Sequence, residues 1–162
     1  MKRFIRLCAL ILALALLFAS CAKTVKYRDD LTTSEIADSI KQGIDGGDKL
    51  TEISASFIQS SMDIDVSEYA DYSVFITVVG TNINEFGIFK AKDDTQVDAL
   101  KEKLQSYISL RNEAWMPEYL PDEYPKLKNA EIKSVGLYVM YAVLSDSEKE
   151  AAFKELEEML IQ

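Results

Sequence analysis

Two stretches of the chain are rich in β-branched and aromatic residues, and they restrict the fold more than any other feature. Residues 72–79 have the composition of a strand with both faces apolar, and after a glycine-containing turn residues 85–91 form the returning strand. Residues 131–144 are strand-like again and contain one glycine. We interpret them as a second hairpin that turns near Val135-Gly136. One long bulged strand is the alternative.

Amphipathic helices are predicted before, between and after these strand pairs. Each has a capping residue at its start and an apolar stripe at helical spacing. A further short helix is predicted within residues 50–60, and Pro117 is expected to end or kink the middle helix. The capping residues are Thr32 with Glu35, Asp93 or Asp94, and Ser145 with Glu148. The stripes are Ile36, Ile40 and Ile44; Val97, Leu100, Leu104, Tyr107, Ile108 and Arg111; and Ala152, Phe153, Leu156, Met159 and Leu160.

The resulting order is helix, hairpin, helix, hairpin, helix. Amphipathic helices need a sheet face to bury against, so we predict an α+β fold in which one antiparallel sheet of about four strands carries the helices on one face. The strand-strand-helix unit occurs twice, with Gly87 and Gly136 in similar places, which suggests a duplicated unit. Residues 32–162 are predicted to form a single domain.

The beginning of the chain has the pattern of an export signal. Three basic residues precede an apolar run at residues 7–18, which as a helix would reach only about 18 Å, too short for a bilayer core. Small residues then precede Cys21, as in a bacterial lipoprotein signal, although Phe18 stands where Leu, Val or Ile is usual. We predict a signal peptide at 1–20, lipidation of Cys21 and a tether at 21–31. Ordinary cleavage after Ala22 is the alternative.

These features predict an exported protein held by lipid at the outer face of the cytoplasmic membrane. Lys23, Lys26 and Arg28 follow the attachment point. They could rest on anionic headgroups or simply belong to a polar tether, and the sequence leaves both interpretations open.

Charge and residue content exclude several functions. Removal of residues 1–20 takes away three basic and no acidic residues, so the net charge falls from −9 to −12, which argues against nucleic acid as a partner. The chain has no histidine, and its second cysteine, Cys8, lies in the signal. Nucleophiles activated by histidine and His-containing zinc sites are therefore excluded. We predict no enzyme activity and no cofactor.

A calcium loop is the nearest approach to a metal site. Asp63, Asp65 and Ser67 stand at its first, third and fifth positions. Glu68 replaces the required glycine at the sixth position and Val74 the required glutamate at the twelfth, so we predict no metal site.

The strongest candidate binding surface is the segment 115–125. It contains the only tryptophan, two tyrosines and all three prolines of the chain. Aromatic side chains on a proline-stiffened segment can present a rigid contact face to a sugar or a peptide. Trp115, Tyr119 and Tyr124 are therefore the candidate partner-binding residues. The alternative is a structured loop whose aromatic side chains fold back onto the helix and sheet.

Several short motifs resemble one protein family. In order they are Asn84–Ala91 before a charged helix, Tyr119–Tyr124, Asn129-Ala130, and Gly136–Val139 before the final helix. Over roughly residues 65–160 they are similar to the uncharacterised domain of small Gram-positive lipoproteins known as domain of unknown function four-three-five-eight. The resemblance implies a lipid-anchored envelope protein of about this size. It implies no activity and no catalytic residues.

Three functions remain compatible with the sequence. The leading hypothesis is a non-enzymatic module that binds an envelope protein or a cell-wall component. The second is a carboxylate-based hydrolase of envelope glycans, which requires two acidic residues facing each other about 5–10 Å apart. The third is a structural or assembly factor.

Overall fold

A computed structural model describes residues 26–116 and 118–162 of the protein. Its centre is one five-stranded antiparallel sheet with the strand order β1-β2-β3-β5-β4. This confirms the α+β class and the single antiparallel sheet, with one strand more than predicted. The strands are β1 (Leu50–Glu52), β2 (Asp71–Thr77), β3 (Glu85–Lys90), β4 (Glu131–Val135) and β5 (Tyr138–Val143).

Five α-helices lie in the described part of the chain. None of those described is long and apolar enough to cross a membrane. The predicted signal peptide and Cys21 lie outside the described residues, as does Pro117. The helices are α1 (Thr33–Gln42), α2 (Ala55–Met62), α3 (Asp94–Ala114), α4 (Tyr124–Lys128) and α5 (Asp146–Leu160).

The predicted helix starts are confirmed. Thr32 and Glu35 form a capping box at α1, and Ser145 and Glu148 form one at α5. At α3 the side chain of Asp93 accepts from two backbone N–H groups, which are the unpaired donors of a helix start.

Helices cover both faces of the sheet, which corrects the prediction that they pack on one. Phe86 and Ile88 of β3 join the core formed with α1 and α5. Phe89 of the same strand joins a second core formed with α2, α3 and α4. All six residues of β5 are buried. A strand with two apolar faces needs a covering layer on each side of the sheet. The composition of residues 72–79 predicts such a strand and therefore already favours two layers of helices.

Residues 50–60, within which one short helix is predicted, contain the start of a helix and also a short strand. Leu50–Glu52 forms the edge strand β1, which pairs with Phe75–Thr77 of β2. The helix α2 begins only at Ala55, because the side chain of Ser54 accepts the N–H of Phe57 at 3.3 Å and caps the helix there.

The second hairpin is confirmed, and its turn lies at Gly136 and Leu137. Val135 pairs with Tyr138, so Gly136 and Leu137 form a two-residue loop with Gly136 first, at φ 56°. A positive φ at this position belongs to the primed turns of hairpins. Gly87 instead lies in the middle of β3, so the two glycines are not equivalent. The following helices, α3 and α5, also lie on opposite faces. The two units therefore share an order but not a duplicated structure.

Along the direction of its strands, the sheet has two opposite ends. We name each after an aromatic residue that lies there, the Tyr27 end and the Trp115 end. At the Tyr27 end, Lys90 pairs with Tyr138 and Tyr27 bridges to Ile161. Residues 26–31, predicted as part of a tether, pack against the domain here: the Tyr138 hydroxyl donates to the Leu31 carbonyl, and the Arg28 N–H donates to the Leu160 carbonyl at 2.8 Å. Residues 26–31 are held there because Tyr27 and Arg28 pair with Ile161 and Leu160 at the end of α5.

At the Trp115 end, Glu85 pairs with Val143 and the chain continues from α3 to α4. The 21-residue α3 runs from one end to the other, a distance of about 30 Å. The buried apolar residues of the described part fall between Ile36 and Leu160. A chain that begins at Cys21 therefore contains the complete described core.

We predict that Gly87→Ala destabilises the fold. The added Cβ would lie 2.5 Å from the Tyr141 Cε1 and 3.0 Å from the Val74 Cγ2, in a core where overpacking typically costs about 1–3 kcal/mol. The free energy of unfolding in urea measures the loss.

Gly43→Ala is the matched control. Its nearest neighbour, the Ile40 carbonyl oxygen, lies at an ordinary 3.6 Å, so we expect an unchanged or slightly increased unfolding free energy. Equal effects of the two substitutions would contradict the close contact at Gly87.

Candidate functional site

Of the three aromatic residues singled out in the sequence, Trp115 contacts both of the others, Tyr119 and Tyr124. The rings of Trp115 and Tyr124 are stacked, with centroids 5.7 Å apart and an interplanar angle of 20°. The ring of Tyr119 lies 6.3 Å from that of Trp115 at a tilt of 51°. We call these three residues the aromatic cluster.

The members of the cluster differ in exposure. Trp115 and Tyr124 are half-buried, and Trp115 packs against the core formed with α2, α3 and α4. Tyr119 is 60% exposed and its neighbour Met116 is 65% exposed. The segment thus folds one aromatic side chain back onto the domain, as the alternative interpretation expects, and presents another to solvent. Whether it binds a partner stays a prediction.

The start and end of this segment are tied together by a side-chain amide. Asn112, in the last turn of α3, donates from Nδ2 to the Ile108 carbonyl at 3.1 Å and to the Leu127 carbonyl at 3.3 Å. It therefore joins α3 to α4, which carries Tyr124. Between them Leu120 has φ 47°, a left-handed conformation that is unfavourable for a branched side chain. Such strain persists where the surrounding structure enforces it, and it concentrates at functional sites.

A second set of polar contacts holds α4 to the sheet. The Lys126 ammonium group lies 2.8 Å from the Glu123 carboxylate and donates to the Asn84 side-chain oxygen at 2.9 Å. The Glu123 carboxylate also accepts the Ile83 N–H at 2.9 Å. Asn84 is buried. These contacts connect the start of β3 with α4 and fix the position of Tyr124.

A polar pocket opens beside this set of contacts. Its volume is about 440 Å³. Lys126 is a basic group there, whereas Asp45 and Glu148 are acidic, so the pocket suits a polar ligand with several hydroxyl or amide groups better than a simple anion. The lining residues are Gly43, Asp45, Asn82, Asn84, Lys126, Ser145, Ser147 and Glu148.

The only buried acidic side chain of the described residues is Glu85, at the start of β3. Its carboxylate accepts hydrogen bonds from the Tyr141 hydroxyl at 2.6 Å and the Tyr107 hydroxyl at 2.7 Å. The Arg111 guanidinium forms an ion pair with it. These four residues form the Glu85 cluster, which joins β3 and β5 to α3.

The environment of the Glu85 cluster keeps both phenols protonated. Burial and then the neighbouring Glu85 carboxylate raise the pKa of Tyr141 well above 10.0, and the same two causes raise the pKa of Tyr107. The phenols remain donors, and the carboxylate is compensated by Arg111. A carboxylate held by three donors is suited to positioning α3 rather than to transferring protons.

The Glu85 cluster was not recognised as a unit in the sequence. Its detectable signal is Arg111, a charged residue on the apolar stripe of α3, one turn after Tyr107. A charge on a buried face requires a partner, but the sequence does not indicate which acidic residue supplies it.

We predict that Arg111→Met destabilises the protein far more than Lys154→Met. Removal of Arg111 leaves the buried Glu85 carboxylate without its cation, a change that costs about 3–5 kcal/mol in comparable buried pairs. Lys154 pairs with Glu158 at 3.1 Å on an exposed helix face, where a pair contributes at most about 1 kcal/mol. Urea unfolding of both variants checks this, and equal losses would contradict a structural role for the Glu85 cluster.

Comparison with known proteins identifies a family but no characterised relative. No curated protein and no solved structure matches the chain significantly. Residues 42–144 match the family described as Domain of unknown function (DUF4358). The matched region contains all five strands and the helices α2, α3 and α4, and it includes both the aromatic cluster and the Glu85 cluster. Because the match covers well over half of the chain, this protein belongs to the DUF4358 family.

Proposed function

We propose that this protein is a lipid-anchored lipoprotein at the outer face of the cytoplasmic membrane. Its domain is a non-enzymatic module that binds an envelope protein or a cell-wall component. The observation that carries the binding proposal is the aromatic cluster, in which two stacked, half-buried rings support the exposed Tyr119. The basic start, the short apolar run and Cys21 support the anchor.

The aromatic cluster has the properties of a recognition surface. Its rings contribute a large contact area with little loss of conformational freedom on binding, because Trp115 and Tyr124 are already held by stacking and by the core. Met116 adds an exposed, adaptable apolar side chain beside Tyr119. The polar pocket near Lys126 lies at the same end and offers hydrogen-bonding groups to an extended ligand.

The position of the cluster also fits an anchored binding module. The lipid would be attached before Lys26, at the Tyr27 end, whereas the cluster lies at the Trp115 end, about the length of α3 away. A binding surface at that end is separated from the attachment point by about the length of α3. The acidic mature chain makes nucleic acid an unsuitable ligand.

The anchor is tested by labelling bacteria that produce the full chain with radioactive palmitate. We expect the wild-type protein and Cys8→Ser to incorporate label and Cys21→Ser to incorporate none, because only Cys21 would carry the fatty acids of the anchor. Cys8→Ser is the matched control, since it removes the other thiol of the chain. An unlabelled wild-type protein that is nevertheless exported would contradict lipidation and favour ordinary cleavage after Ala22.

The binding surface is tested by placing a photo-crosslinking phenylalanine at position 119 in intact cells. We expect a discrete covalent adduct at this position, because Tyr119 is exposed within the proposed contact face. Treatment with a muramidase then distinguishes the two partner classes. An adduct that changes mobility contains cell-wall glycan, and an unchanged adduct is a protein complex.

The same reagent at position 79 is the control. Val79 is 84% exposed and lies in the loop between β2 and β3, outside the aromatic cluster. We expect no adduct there. Equal crosslinking at positions 119 and 79, or none at either, would contradict the proposed surface.

A further inference from the structure

The folded domain begins very close to the proposed attachment point. Cys21 and Lys26 are five residue steps apart, and an extended chain covers at most about 3.6 Å per residue, or about 18 Å in all. This reach is shorter than α3, which is about 30 Å long. If Cys21 carries lipid, as the proposed function states, the Tyr27 end is held next to the bilayer.

Two large apolar side chains are exposed at this end. Tyr27 is 48% exposed and Ile161 is 44% exposed, and the two residues are neighbours through a β-bridge. Tyr27 belongs to the segment 26–28 and Ile161 follows α5, and these two segments pair with each other. The pairing places them together on the surface where the chain leaves for Cys21.

The polar groups around them suit a membrane interface. Lys26 is exposed, and Lys23 precedes it in the sequence. Arg28 is ion-paired with Asp30 at 2.9 Å, so its charge is compensated within the domain. Tyrosine carries an apolar ring and a polar hydroxyl, a combination enriched at the level of lipid headgroups, and lysine is attracted to anionic lipid.

We propose that the Tyr27 end is a bilayer-contacting surface that fixes the orientation of the domain. Tyr27 and Ile161 enter the headgroup region of the membrane, and Lys26 lies against anionic headgroups. This inference rests on the anchor of the proposed function and adds an orientation to it. The domain then stands on the membrane with α3 directed outward and the aromatic cluster at its far end, instead of rotating freely on the tether.

Tryptophan quenching by brominated lipid tests this orientation. The chain from Cys21 onward contains a single thiol and a single tryptophan, Trp115. Its thiol is coupled to vesicles that contain a maleimide lipid, phosphatidylglycerol and phosphatidylcholine brominated near the top of its acyl chains. In a Trp115→Phe background, Tyr27→Trp and Ile161→Trp each report on the proposed contact. Val79→Trp in the same background is the control at the opposite end of the sheet.

We expect the tryptophan at position 27 or 161 to lose severalfold more fluorescence than the tryptophan at position 79, relative to vesicles without bromine. In the chain without substitutions, the fluorescence of Trp115 should also be quenched little. Near-ultraviolet circular dichroism checks that each variant is folded, and two reporter positions guard against failure of one. Equal losses at 27, 161 and 79 would overturn the proposal. An absence of loss at both 27 and 161, as when a second copy or a protein partner covers this end, would overturn it as well.

This experiment is independent of the palmitate test. Chemical coupling supplies the lipid whether or not cells attach one to Cys21. Preferential quenching at position 27 together with absent palmitate labelling would therefore refute the anchor and not the bilayer-contacting surface. The reverse result would refute only the surface.

Discussion

The structure depends on the burial of β3 and β5 on both faces. These neighbouring strands form the centre of the sheet, and every residue of β5 is buried. Two separate cores follow, because side chains that alternate along each strand need partners above and below the sheet. The helices α1 and α5 supply one layer, and α2, α3 and α4 supply the other. Removal of either layer would expose half of the apolar side chains of both central strands.

The Glu85 cluster determines where α3 lies on this sheet. A buried ion pair seldom stabilises a protein more than an apolar contact of the same size, but loss of one partner is severe. Tyr107 and Arg111 are one turn apart on α3, and both contact the Glu85 carboxylate. A displacement of α3 by one turn would therefore leave a buried carboxylate with fewer donors. The cluster opposes such displacement and so positions the C-terminal end of α3, from which Trp115 follows.

The local features could be predicted from the sequence because they are encoded by adjacent residues. Capping boxes, apolar stripes and the hairpin near Gly136 all depend on spacings of a few positions. The distribution of helices between the two faces could not be predicted in this way, because it depends on which layer each helix joins. The strand β1 was missed since three residues are too short to show a pattern. The Glu85 cluster was missed because Tyr107, Arg111 and Tyr141 lie 22, 26 and 56 residues from Glu85 in sequence and only the fold brings them together.

The candidate site shows the same division between local and long-range information. The composition of the segment 115–125 drew attention to Trp115, Tyr119 and Tyr124, but it could not distinguish a surface from a folded-back loop. The structure contains both arrangements, since Trp115 is supported by the core and Tyr119 projects from it. This combination is mechanically significant. The Tyr119 ring lies against the Trp115 ring, which packs on the core and follows α3, the helix that is joined to Glu85 and the sheet. In the proposed function, a ligand at Tyr119 is therefore bound to the whole domain and not to the segment 115–125 alone, and in the proposed orientation its height above the membrane is set by the length of α3.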